Sequence, residues 1–249
     1  MAKTMSRPGA TAPVVNPPAA KSAPWPVTFY RSAVGKKWVM AITGLGLLGF
    51  VIAHMIGNLK MYLGREDIDA YGHALRTLLH PIMPNELVLW ILRLGLFAML
   101  VAHIHAAATL TIMNKKARTV KYQSPRDYVA VTFAGRTMRF TGLIFLFFLV
   151  WHLFDLTFTG TGYHYVRGEA YENVANSLSR IPVALLYIAG NIALGIHLFH
   201  GAWSLFQSMG WNNPRFNGAR RSFATAFAAI VVIGNVSFPI AVLAGVVSV

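Results

Sequence analysis

The sequence predicts an all-α integral membrane protein, a bundle of five transmembrane helices, and two observations carry that prediction. Its 249 residues are 55% hydrophobic and only 12% charged, with a mean hydropathy of +0.51, whereas soluble domains run near a quarter charged. Five stretches, 36–59, 87–113, 140–159, 181–206 and 223–247, are each apolar over the roughly 20 residues that a helix needs to cross the hydrocarbon core. Residues 1–28 differ. They carry six of the twelve prolines among Ala, Thr and Ser, without an apolar signal-peptide core, so a disordered cytoplasmic tail is expected ahead of a helical domain at 29–249.

Charge sets the orientation. Sixteen of the 22 Lys and Arg fall in the tail, between helices two and three, or before helix five, against five in the opposite loops. The positive-inside rule then places the N-terminus in the cytoplasm. The net charge of +14 is distributed as topological flanks rather than as a stripe on a water-soluble face, which argues against nucleic acid. The absence of cysteine excludes disulfides, Cys-ligated zinc or iron–sulfur sites and covalently attached haem within this chain. Two outer segments are more than linkers. Ile68, Tyr71, Leu75, Leu78 and Leu79 repeat at helical spacing, which predicts a short surface helix. Residues 163–179 place Tyr163, Tyr165 and Tyr171 at a membrane boundary.

Histidine is costly in lipid because its ring nitrogens need partners there. Six of the nine histidines nevertheless lie in spans one to four: His54, His103, His105, His152, His197 and His200. Counted at 1.5 Å per residue, His54 and His152 sit about 9–12 Å from the outer helix ends. His105 and His197 sit about 13–17 Å from the cytoplasmic ends. Two histidines at each of two depths, from different helices, is the arrangement that two bis-His haems require. His103 and His105 face opposite ways, about 200° apart, and His197 and His200 share a face, so depth alone does not choose within these pairs. Small residues on the same helices (Gly44, Gly46, Gly49, Gly57, Gly142, Gly190, Gly195 and Gly201 among them) suit either clefts for a flat macrocycle or ordinary helix contacts. Arg93 lies roughly 10 Å deep in helix two, level with His54 and His152. A charge at that depth needs a counter-ion. The candidates are a haem propionate or Asp155, three residues after His152, as a structural pair.

The strings AHMIGN around His54, HAAATL from His105, RFTGLIFLFFLVWHLF through His152 and IHLFHGAWSLFQSMGW from Ile196 resemble the di-haem cytochrome b membrane anchor of succinate:menaquinone oxidoreductases and related fumarate reductases. The resemblance runs from Phe29 to the C-terminus. It implies a bundle enclosing two b haems, with His54 and His152 ligating the outer iron and His105 and His197 the cytoplasmic one. It further implies a place in the bacterial cytoplasmic membrane, in the tricarboxylic acid cycle and the respiratory chain. Partner subunits would be a flavoprotein carrying FAD and an iron–sulfur protein, with menaquinone as the electron acceptor and lipid around the chain; a higher oligomer is compatible. Arg31, Lys36 and Lys37 would contact the iron–sulfur subunit and carry propionate or quinone contacts, and Arg93 and Asp155 would belong to the outer site. Where relatives place a carboxylate on the outer half of helix two, this sequence has Arg93. The alternatives are a fumarate reductase anchor running in reverse and a haem-free structural anchor. No helix carries the paired histidines of bc-type cytochromes, and no inverted repeat marks a transporter.

Overall fold

The structure is a computed structural model that describes residues 23–117, 133–211 and 213–248. Helix α1 (Trp25–Arg31) opens on prolines, which lack an N–H that a first turn does not need. It runs through residue 28, where the tail was expected to end; residues 1–22 lie outside the described chain. Ser32 then adopts extended backbone and caps α2 (Ala33–Asn58), its Oγ accepting from the Gly35 N–H at 2.9 Å. The corner between them demands glycine, because a Cβ on Gly35 would lie 1.9 Å from the Phe29 carbonyl oxygen.

The chain continues through α3 (Arg65–Arg76), α4 (Leu87–Lys116), α5 (Phe133–Leu153), α6 (Ala170–Leu178), α7 (Ile181–Ser208) and α8 (Asn217–Leu243). No strand occurs among the described residues. Among the described residues, five helices are long and apolar enough to cross a membrane: Ala33–Leu63, Leu87–Lys116, Gly135–Phe158, Ile181–Ser208 and Pro214–Leu243. The fifth starts earlier than residue 223 because Arg220 turns back onto its own helix start. Its guanidinium donates to the Trp211 carbonyl at 2.7 Å and to the Asn217 side chain. The surface helix expected from Ile68 to Leu79 is α3. It buries Ile68 and stops at Arg76, before Leu79 takes a positive φ of 63°. Within 163–179 the structure adds α6, whose buried face (Asn173, Ala175, Ser177, Leu178) mixes polar and apolar groups and so gave no clear periodic signal.

Packing runs in a chain: α4 lies on α2, α2 touches α7, and α7 is clasped by α5 and α8. Half of the apolar window of α7 is buried, and none of that of α4. Several of these contacts are side-chain knobs seated on glycines. A Cβ on Gly46 would meet Met99 Sδ at 2.5 Å, on Gly190 the Phe148 ring at 2.3 Å, on Gly195 Val232 Cγ2 at 2.1 Å, and on Gly234 Met55 Sδ at 2.3 Å. Most of the small residues therefore serve helix contact. Helices α3 and α6 pack on each other over the end remote from α1. All seven described acidic residues, Glu66, Asp67, Asp69, Glu86, Asp155, Glu169 and Glu172, lie at or near that capped end.

Gly190→Ala should force the Phe148 ring aside and destabilise the purified protein by about 1–3 kcal/mol. Gly49→Ala, whose Cβ meets nothing within 4 Å, should be neutral or stabilising by up to about 1 kcal/mol. Thermal unfolding in detergent distinguishes them, and equal effects would contradict this packing.

Candidate functional site

Near the capped end, α2 supplies His54 and α5 supplies His152. Their rings meet across the interior with centroids 6.0 Å apart and planes at 84°. Phe50 stacks on His54 at 5.3 Å, and Phe148 and Tyr187 flank His152 at 5.9 and 5.8 Å. Two metal–nitrogen bonds of about 2 Å on opposite sides of one ion place two imidazole centroids roughly 6 Å apart, so this pair suits a shared metal. The Nδ1 of His152 is buried without a hydrogen-bond partner, as is the neighbouring indole nitrogen of Trp151. Such groups are rare in finished interiors.

Nearer the other end, His103 Nδ1 lies 3.1 Å from Thr43 Oγ1. The Thr43 hydroxyl donates its one proton to the Val39 carbonyl at 2.6 Å, so its oxygen accepts from His103. That assigns the proton of His103 to Nδ1 and leaves Nε2 with a free lone pair, the arrangement of a metal-binding imidazole held by an outer partner. Two glycines receive imidazoles rather than aliphatic knobs. A Cβ on Gly44 would lie 3.4 Å from His103 Cε1, and one on Gly142 3.1 Å from His197 Cε1. His197 lies within electrostatic reach of His103 and His200, and its Nδ1 is also buried and unpartnered.

His105 points elsewhere. It is exposed on the flank of α4, where its Nδ1 is hydrogen-bonded to the Tyr30 hydroxyl of α1 and the two rings stack at 5.8 Å and 20°. The structure thus turns His103, and not the expected His105, toward α2 and within electrostatic reach of His197. Thr43 and Gly44 on α2 were the sequence signal for this choice, but nothing in the pattern of α4 alone points to them. Arg31 is exposed at the end of α1.

Asp155 forms a separate polar node beside the pair of His54 and His152. The last turn of the third span widens into a π-helix, Phe154–Phe158, and places this carboxylate fully inside, at 0% exposure. Oδ1 accepts from the Thr161 hydroxyl and from Arg180 Nη2 at 3.0 Å. Oδ2 accepts from the Ser177 hydroxyl and from the Tyr187 hydroxyl at 2.8 Å. The partner of Asp155 is therefore Arg180, which sequence reasoning treated only as a loop charge. The anticipated pairing with Arg93 does not form, because α4 packs on α2 and leaves Arg93 exposed, its guanidinium 5.1 Å over the Trp90 ring. Tyr163 closes the node by donating to the Asp155 carbonyl at 2.7 Å, and Tyr165 donates to that of Thr157 at 3.3 Å. These bonds satisfy carbonyls that a helix end leaves open. Burial, and then the Asp155 charge, push the Tyr163 phenol above its ordinary range.

Among the described residues no group of three or more His, Asp or Glu converges on one point; the imidazole arrangement is one of pairs. Residues 130–236 match the family of succinate dehydrogenase/fumarate reductase transmembrane subunits. The matched stretch takes in His152, Asp155, Arg180, Tyr187 and His197, while His54 and His103 precede it. No curated protein and no solved structure gives a match.

Asp155→Leu should leave Arg180 and three hydroxyls without their acceptor and cost about 3–5 kcal/mol, the usual consequence of removing one partner of a buried ion pair; unfolding of the purified protein in denaturant measures it. The folded chain holds the Tyr163 proton more tightly than the unfolded chain. Stability should therefore fall as pH rises past about 10, the ordinary tyrosine value. Melting curves at pH 9 and 11 should show a shallower fall in Tyr163→Phe than in the parent, and identical slopes would refute the assignment.

Proposed function

We propose that this chain is the membrane anchor of a bacterial succinate dehydrogenase, relaying electrons from the iron–sulfur subunit through two bis-His b haems to menaquinone. The observation that carries this reading is the pair of imidazole levels, His54 with His152 and His103 with His197, within a five-span bundle whose 130–236 stretch matches the family. The positive-inside rule puts the α1 end in the cytoplasm, on the side where the flavoprotein and iron–sulfur subunits oxidise succinate. The family description names fumarate reductase as well, and the same relay run in reverse serves that direction.

Held by these imidazoles, b haems would supply one-electron redox chemistry. The protein's part is to orient the imidazoles and keep water away. Thr43 fixes the tautomer of His103, so that Nε2 is the atom that would hold the iron. Gly44 and Gly142 let the two inner rings approach the helix backbones. Phe50, Phe148 and Tyr187 hold the outer pair. Asp155, enclosed by its four donors, keeps the outer end of α5 polar, and Arg180 joins it to the cap.

A pyridine haemochrome assay of the purified chain should give two haems. His54→Ala and His103→Ala should each lose one, while His105→Ala keeps both. A single haem in the parent, or loss of one from His105→Ala in place of His103→Ala, would overturn the assignment.

A further inference from the structure

Resting on the haem reading above, we propose that Lys36 is the carboxylate-binding group of the inner site and holds a propionate of the haem carried by His103 and His197. Of the three basic groups at the start of the first span, Lys36 alone turns inward. It is 6% exposed, while Arg31 and Lys37 are exposed. Its ammonium has no hydrogen-bond or ion-pair partner among the described residues, and the charge rests against the face of Tyr30, 4.2 Å from the ring centroid. A cation–π contact is a weak substitute for a counter-ion on a side chain so largely enclosed, so these surroundings favour an anion.

Position identifies the anion. Lys36 and Thr43 are seven residues apart on α2, hence on one face and about 10 Å apart along the axis. Thr43 is the residue that holds His103. Lys36 therefore stands about two turns beyond Thr43 toward the basic end of α2, on the side from which a propionate of an inner haem would be reached. Helix α1 closes over it. The Gly35 corner folds α1 back, and the bond between Tyr30 and His105 pins it to α4. This gives His105 a role: it docks the short helix that shields Lys36.

The test is a redox titration of the purified holoprotein followed optically, with the inner haem identified as the one retained in His54→Ala. Removing a positive charge near the iron favours the oxidised state. Lys36→Met should therefore lower the inner midpoint potential by about tenfold in the reduction equilibrium, about 59 mV for a one-electron couple, and leave the outer haem unmoved as an internal control. Lys36→Arg should restore most of the shift. Loss of the inner haem from Lys36→Met with retention in Lys36→Arg supports the same assignment. Two haems with unchanged potentials, an equal shift of both, or loss of the inner haem from Lys36→Met and Lys36→Arg alike would overturn it; unchanged potentials would mean that the ammonium meets another anion, such as a lipid phosphate. A parent protein without haem would instead overturn the reading on which the proposal rests.

Discussion

An imidazole in hydrocarbon has two ring nitrogens and no water to satisfy them, and the interior of this bundle is arranged around that constraint. His103 meets it at one nitrogen through Thr43, whose own proton is already committed to a backbone carbonyl. His105 meets it by leaving the interior for the flank of α4 and the Tyr30 hydroxyl. His152 and His197 keep a buried Nδ1 with no partner, which a stable interior tolerates only where something else is gained. The helix order follows from the same need: pairing α2 with α4 and α5 with α7 puts each inner imidazole over a glycine of the helix beside it.

The capped end solves a different problem with the same chemistry. A carboxylate at 0% exposure is affordable only when its lone pairs are filled, and Asp155 receives three hydroxyls and a guanidinium from α6, α7, the loop before α6 and the turn between the two helices. The ion pairs further out, Arg65 with Glu172 and Arg167 with Glu86 at 2.6 Å, are exposed and contribute little each. The cap is thus fastened from within, by one buried anion, more than by the charges visible on its surface.

Much of this was legible in the sequence. Long apolar runs fix five spans because lipid leaves a backbone no other way to satisfy its hydrogen bonds, and helical repeats mark α3. The outer histidines could be placed by counting along their helices. The choice between His103 and His105 could not, since it depends on which flank of α4 meets α2, a contact decided by Met99 on Gly46 and His103 on Gly44. Asp155 was singled out correctly as a buried charge and matched to the wrong partner. Depth along a helix says nothing of azimuth, and the π-turn that rotates Asp155 toward Arg180 leaves no mark in hydropathy. Helix α6 was missed because its inward face carries Asn173 and Ser177, whose polarity is satisfied only in the folded cap.

The spacing of the imidazole levels has an electrical consequence. Gly142, beneath His197, stands ten residues before His152 on α5, and Thr43, beside His103, eleven before His54 on α2. At 1.5 Å per residue, both helices give about 15 Å, half of a hydrocarbon core of about 30 Å. A full crossing is worth about 2.3 kcal/mol per charge at 100 mV, so on the proposed relay an electron passing between the two levels would sense about 1 kcal/mol per 100 mV. With the basic end inside, as the positive-inside rule implies, a negatively polarised interior would drive that electron toward the capped end and oppose its return. On that reading, helix register alone would set a voltage-dependent bias on the direction of transfer.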